Sequence, residues 1–321
     1  MYRVNEEPIV IYVLGYGRSG STLLDRLLGC IPGCLSCGEI FWLWQSILDD
    51  RALCSCHRAV SKCSFWETVA KQVFRGDNSS DVKDFADLFY SMVNKGNIIP
   101  LFKPGIRSRG FKRKLENVKD VVQRLYRAIM QASGARIIVD SSKLPYLGVV
   151  LSELEGVDLR MVHLVRDSRA VVYSNIRKRW VSQIGYTATQ NPLKTMLAWN
   201  LHNFLAERCR KRSKSFFVRV RYEDLVFQPK QVLGRLLLAL GLSQGLQFDR
   251  EDALRNFKGE RVVYLGTGHI LAGNAFRFVS GPVEIKPDTA WKKELSFAYK
   301  LGTTLVTAPL LKKYQYSLEW A

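Results

Sequence analysis

The chain has 321 residues, 47% hydrophobic and 24% charged, an ordinary globular composition long enough to bury a sizeable core. With 48 Lys and Arg against 29 Asp and Glu, the formal net charge is +19, which predicts attraction to polyanions. No apolar run is long enough for a membrane span, no repeat of roughly 20 to 50 residues or low-complexity linker divides the chain, and the N-terminus lacks a basic stretch followed by a cleavable apolar segment. One large domain over residues 1–321, cytoplasmic and without a membrane span, is therefore expected.

Residues 9 to 24 open with six apolar residues, Ile9 to Leu14, which suit a parallel strand covered on both faces. Gly15, Gly17 and Gly20 allow a tight turn and close backbone approach to a ligand. A helix starting near Ser19 to Thr22 would point its unpaired N–H groups into that turn. Gly17, Arg18, Ser19, Gly20, Ser21 and Thr22 are thus expected to bind a phosphate. A Walker A loop would need lysine at the position of Ser21, so nucleoside-triphosphate chemistry is disfavoured and a P-loop small-molecule kinase is kept as an alternative. The Arg-Ser-Gly-Ser-Thr run from Arg18 resembles the 5′-phosphosulfate loop of sulfotransferases that use 3′-phosphoadenosine 5′-phosphosulfate (PAPS).

Helix one carries a core stripe of Leu23, Leu24, Leu27 and Leu28 and stops before Pro32-Gly33. Cys37-Gly38-Glu39 follows. In sulfotransferases that this chain resembles, an acidic residue at this place is the general base, and that role falls to Glu39. Tyrosylprotein sulfotransferases carry Gly-Glu-Glu here, with the second glutamate as base. Glu39 matches the first glutamate, and Ile40 stands at the second. His57 and His269 are alternative bases, since neutral imidazole suits physiological pH.

Residues 41 to about 135 read as a mainly helical insert, suited to acceptor recognition. Its Leu115, Val118, Val121 or Val122, Leu125 and Ile129 have helical spacing. The insert begins with Cys54-Ser-Cys56-His57 and Cys63-Ser-Phe-Trp66. Three thiols and a histidine could hold zinc, but adjacent Cys56 and His57 are awkward joint ligands, so no metal is expected. A disulfide between Cys54 or Cys56 and Cys63 is allowed, yet reduced thiols are the default in the cytoplasm, and seven cysteines cannot all pair within the chain. Two segments concentrate the basic charge: residues 103 to 136 hold ten Lys or Arg, and residues 207 to 221 hold seven. They are either a solvated surface or a clamp for an anionic ligand. Neither a zinc-finger spacing nor an RNA-recognition motif accompanies them, so no specific nucleic-acid partner is expected.

Arg136-Ile-Ile-Val-Asp140 is a short strand ending in Ser141-Ser-Lys-Leu-Pro145. The Asp-Ser-Ser-Lys-x-Pro run resembles the family segment that brings a lysine to the bridging oxygen between phosphate and sulfate, a role that falls to Lys143. Leu159 to Ser174 is a second strand, turn and helix. Its Arg166 and Ser174 resemble the family's 3′-phosphate site, while Arg169 is expected to pair with Asp167 or another carboxylate. A helix from about Pro192 to Arg212 leads to the alternating strand Phe216 to Tyr222. Tyr222-Glu-Asp-Leu resembles the Tyr-Glu-Asp segment whose tyrosine contacts the adenosine, and a helix follows Pro229 and stops at Gly241. Gly268-His269 and Gly273 to Arg277, ahead of Asp288-Thr-Ala-Trp291, resemble the late loop that closes over the adenosine, with Arg277 as its cation.

These elements predict an α/β fold, a three-layer parallel sheet with a P-loop-like phosphate-binding turn and a helical insert. The resemblance implies an enzyme that moves the sulfuryl group of PAPS by in-line displacement to a hydroxyl, or as second choice an amine, of an acceptor that is anionic or a carbohydrate, leaving adenosine 3′,5′-bisphosphate. Catalysis would rest on Glu39, Arg18 and Lys143, with no metal. Cofactor binding would rest on Gly17 to Thr22, Arg166, Ser174, Tyr222 and Arg277. A non-enzymatic polyanion-binding protein is the third reading, carried by the basic charge.

Overall fold

Strand β1 (Ile9–Gly15) is the middle of the sheet, and all seven of its residues are buried. Its side chains alternate, Val10, Tyr12 and Leu14 entering one core and Ile9, Ile11 and Val13 another, which is why the run has no polar face. The computed structural model describes residues 7–74, 79–178, 180–181, 185–186, 188–211, 216–242 and 250–319. Residues 212–215, part of the second basic segment and including the expected helix end at Arg212, lie outside them.

After β1 come α1 (Ser21–Leu28), the short strand β2 (Cys34–Ser36) and five helices: α2 (Leu43–Leu48), α3 (Ser64–Phe74), α4 (Ser79–Met92), α5 (Ile98–Phe102) and α6 (Arg109–Ser133). The chain returns to the sheet as β3 (Ile137–Lys143), α7 (Pro145–Leu151), β4 (Asp158–Val165) and α8 (Ser168–Ile176). A ribbon of β5 (Trp180–Val181) and β6 (Gly185–Tyr186) precedes α9 (Pro192–Arg210), β7 (Phe216–Arg221), α10 (Tyr222–Phe227) and α11 (Pro229–Ala239). The rest comprises α12 (Arg250–Ala253), a three-stranded ribbon of β8 (Phe257–Lys258), β9 (Val262–Leu265) and β10 (Gly281–Glu284), then α13 (Trp291–Glu294) and α14 (Phe297–Lys313).

The central sheet has the order β2-β3-β1-β4-β7, and all four strand pairs are parallel. Leucines of α1 and α11 fill the core on one face; α6, α7 and the helices between β2 and β3 fill the other. The expected parallel α/β fold is therefore what the chain adopts. Helix α6 shows why its sequence folds as read: the Ser108 Oγ caps it by accepting from the Phe111 N–H at 3.2 Å, and Gly134 ends it in the left-handed region. Its Leu115, Val118, Val121, Val122, Leu125 and Ile129 are all buried. Part of the first basic segment is tied up in structure. Arg107 makes a two-pronged pair with Glu153 at 2.7 and 2.8 Å, Lys119 meets Glu116, and Arg124 meets Asp120.

One buried carboxyl holds α1 to the loop that follows β2. Asp25 accepts from the Ser36 hydroxyl and from the Gly38 N–H at 3.3 Å, and burial pushes its pKa up to about 7 against those hydrogen bonds. Because the folded state holds that proton more tightly than the unfolded chain, Asp25 costs no stability below about pH 4, and its cost grows as pH rises towards 7. Urea midpoints at pH 5 and pH 8 should therefore fall more for the wild type than for Asp25→Asn. The two slopes should differ by up to about 1.4 kcal/mol per pH unit. Equal slopes would mean the carboxyl titrates as if solvated.

Candidate functional site

The carboxyl ends of the parallel strands deliver the polar residues of the chain to one cleft of about 620 Å³. The turn after β1 lines it with Gly17, Arg18, Gly20, Ser21 and Thr22; β3 contributes Lys143, the loop after β2 contributes Glu39, and the end of β4 with α8 contributes Arg166 and Ser174. Tyr222, at the start of α10, closes the set. Two expected residues are placed otherwise. Ser19 is buried beneath the turn, its Oγ without a hydrogen-bond partner. Arg277 does not line the cleft: its guanidinium donates to the Gly273 carbonyl at 2.9 Å and the Leu53 carbonyl at 3.5 Å, so it braces the late loop from behind. None of the described cations in the two basic segments lines the cleft either.

Local backbone geometry aims two of the cations. Arg18 and Lys143 both sit in the left-handed region, at φ 64° and 71°, a conformation that costs a non-glycine residue on the order of 1 kcal/mol. Gly20, at φ 88°, has a different reason: a Cβ there would run into the ring of Tyr222, so the turn and the aromatic wall fit only without a side chain. The Tyr222 ring in turn carries the Arg166 guanidinium 4.2 Å from its centroid.

Glu39 and Lys143 form an ion pair, Oε1 to Nζ 2.5 Å, with both side chains less than one-sixth exposed. The other carboxylate oxygen of Glu39 accepts from the Trp42 indole N–H at 3.2 Å, so both oxygens are engaged. The loop carrying Glu39 is fixed by the late loop: the Glu39 N–H donates to the Leu271 carbonyl and the Leu271 N–H to the Cys37 carbonyl. A Cβ on Gly273 would come within 3.2 Å of Glu39 Oε1 and 3.1 Å of Thr22 Oγ1, so this glycine lets the late loop close against Glu39 and the turn after β1 together. Asn274 N–H reaches Thr22 Oγ1 at 3.2 Å.

At the other end of the cleft, Arg166 is buried, donating to the Arg18 carbonyl at 3.0 Å and to Asp288 at 3.1 Å, while its Nε has no partner. Asp288, Lys286, Asn274 and Phe276 also line the cleft, and the sequence reading did not single them out as site residues. Asp288 and the late-loop glycine and asparagine lay inside segments noted for resemblance; Lys286 had no signal beyond its charge. Arg169 pairs with Asp167 at 2.7 Å, as expected, and stays out of the cleft. Glu223 also has a structural task, accepting from the Asp167 N–H at 3.1 Å and the Tyr316 hydroxyl at 2.6 Å.

Neither histidine weighed as a base lines the cleft. His57 packs its ring against Phe278, and His269 belongs to a cluster with Cys54, Cys56 and Cys63. The histidine weighed beside these cysteines is the adjacent His57, whereas the one that faces them is His269, 206 residues beyond Cys63. The arrangement as a whole offers a glycine-rich turn at a helix start, the cations of Arg18 and Lys143, a buried arginine with an open donor, and a carboxylate, Glu39, paired with Lys143. It can hold a dianionic group and draw a proton from a neighbour.

Residues 105–245 match the sulfotransferase family. Among solved structures, the chain is similar in fold to the sulfotransferase domain of the olefin synthase from Synechococcus PCC 7002, at 20% identity, covering 99% of each chain with a TM-score of 0.52. It is likewise similar to the sulfotransferase domain from the curacin biosynthetic pathway, at 17% identity, covering 98% of this chain and 100% of that one, also with a TM-score of 0.52. No curated protein sequence matches.

Proposed function

We propose, from the match of residues 105–245 to the sulfotransferase family, that this chain is a single-domain enzyme transferring the sulfuryl group of PAPS to an acceptor hydroxyl, with an amine as the second choice. The observation that carries the reading is the meeting of three groups of residues in one cleft: the turn from Gly17 to Thr22, the Glu39–Lys143 pair, and Arg166 with Ser174. Cations carried by the turn and by the ends of two strands give each phosphate of a doubly phosphorylated nucleotide a partner. The unpartnered Arg166 Nε is a donor a phosphate can use.

In this mechanism the turn amides and Arg18 hold the 5′-phosphosulfate, Arg166 and Ser174 hold the 3′-phosphate, and Tyr222 lies along the adenosine. Glu39 takes the proton of the acceptor hydroxyl as its oxygen attacks sulfur. The new O–S bond forms as the bond from sulfur to the bridging oxygen breaks, and adenosine 3′,5′-bisphosphate leaves. Lys143, released from Glu39 towards that bridging oxygen, neutralises the charge left on the departing phosphate. Positioning supplies much of the acceleration. The acceptor is read only as a hydroxyl compound, anionic or a carbohydrate, recognised by the helices between β2 and β3. No helix among the described residues is long and apolar enough to cross a membrane. We place the protein in the cytoplasm, where reduced thiols are the default.

Calorimetric titration with adenosine 3′,5′-bisphosphate, ATP with magnesium, and duplex DNA tests the assignment. Tight binding of the bisphosphate alone, independent of magnesium, is the expected result. Preference for ATP with magnesium would favour a kinase, and preference for DNA a polyanion-binding protein.

A further inference from the structure

Beneath the late loop, and outside the cleft, four soft ligand atoms face one another: the sulfurs of Cys54, Cys56 and Cys63 and Nδ1 of His269, all within 4.8 Å. We propose that they bind one zinc ion as a Cys₃His site, and that this zinc fastens the late loop to the helical insert.

The spacings are those of a coordination tetrahedron. With Zn–S near 2.3 Å and Zn–N near 2.0 to 2.1 Å, a regular tetrahedron puts neighbouring sulfurs about 3.8 Å apart and sulfur about 3.6 Å from nitrogen. Here Cys56 and Cys63 are separated by 3.7 Å and Cys54 and Cys63 by 3.8 Å, and His269 Nδ1 lies 3.2 Å from Cys63 Sγ and 4.0 Å from Cys54 Sγ. A disulfide would need about 2.05 Å between sulfurs, so this is not a pair waiting to oxidise but four groups around a common centre.

The surroundings are built for a fixed imidazole. Cys54 and Cys63 are buried and Cys56 is partly so. Residues 54 to 57 make a tight turn, the His57 N–H reaching the Cys54 carbonyl at 2.9 Å with His57 in the left-handed region. That conformation turns His57 away from the site its neighbour joins. The His269 ring lies flat on Phe65, centroids 4.9 Å apart, and its carbonyl accepts from the Trp66 indole N–H at 2.9 Å. Such outer contacts orient a ligand before metal arrives. Sulfur-rich tetrahedral geometry with one imidazole selects zinc over magnesium or calcium, which prefer oxygen.

The consequence reaches the cleft by a short chain of bonds. Ser55 Oγ donates to the Gly268 carbonyl at 2.8 Å and accepts from the Ile270 N–H at 2.8 Å; the next residue, Leu271, bonds the backbone on either side of Gly38, and Gly273 abuts Glu39. A metal between residues 54–63 and His269 thus sets the wall against which Glu39 stands.

Metal analysis of the full chain, purified without chelator from zinc-supplemented culture, is expected to find about one zinc per chain. Cys56→Ser and His269→Ala should lose it, and His57→Ala should keep it. Because the variants can fail to fold, the wild type is also loaded with cobalt(II) after removal of zinc, where thiolate-to-cobalt charge transfer and the intense visible bands of a tetrahedral ion are expected. A folded wild type that takes up neither metal, a disulfide joining Cys63 to Cys54 or Cys56 by mass spectrometry, or full zinc retention in His269→Ala overturns the proposal.

Discussion

Glu39→Gln is expected to lower turnover at least a hundredfold and to leave affinity for adenosine 3′,5′-bisphosphate within about threefold, a difference under about 1 kcal/mol. The substitution keeps the shape that accepts from the Trp42 indole and removes only the basic oxygen now paired with Lys143. A positioned base contributes roughly 10²- to 10⁴-fold to such a proton transfer, because an acceptor hydroxyl is a weak nucleophile while protonated. Release of the bisphosphate from PAPS, with an acceptor found by screening, measures it. Since the structure keeps His57 and His269 out of the cleft, His57→Ala should turn over normally. Normal turnover in Glu39→Gln would assign Glu39 to holding Lys143 and move the base elsewhere.

The second large effect separates the two phosphate sites. Arg166→Ala and Ser174→Ala should weaken adenosine 3′,5′-bisphosphate far more than adenosine 5′-phosphate, with arginine costing on the order of 1.5 to 3 kcal/mol and serine less. The structure says which variant gives the cleaner answer. Arg166 also donates to the Arg18 carbonyl, pairs with Asp288 and rests on Tyr222, so its loss disturbs the 5′ turn as well. Ser174 lines the cleft on α8 and leaves those bonds intact. Calorimetry with both ligands decides it; equal losses for the two would remove the 3′-phosphate assignment.

What the sequence disclosed and what it concealed follow from how far apart the interacting residues are. The turn from Gly17 to Thr22 was legible because strand, glycines and helix start are contiguous, and the same holds for Lys143 and Arg166 at the ends of their strands. Helix α6 declared itself by spacing, with a serine cap and a glycine stop. Strand β2 is three residues long, too short for a period to show, and is specified by its pairing with β3. The late loop was harder. Its conformation is dictated by Cys37, Glu39, Thr22 and Ser55, each more than 200 residues earlier, so nothing local revealed that Arg277 would turn inward and leave Lys286 and Asp288 at the cleft. The Cys₃His cluster hid for the same reason: a search for the fourth ligand beside Cys56 finds His57, whose backbone directs it away.

The pairing of β1 also governs the order in which a nascent chain can be assembled. Its partners are β3, beginning at Ile137, and β4, beginning at Asp158, so these contacts have high sequence separation and slow closure. At about 5 to 20 residues per second, β1 waits roughly 6 to 26 s for β3 to be synthesised. For that interval a seven-residue, wholly apolar strand has two unpaired edges, the kind of segment that joins a neighbouring chain instead. Because the sheet's central strand precedes both of its partners in the chain, the turn after it is the first part of the cleft to be made and the last to be held in place, an interval in which a chaperone bound to that strand would have its work to do.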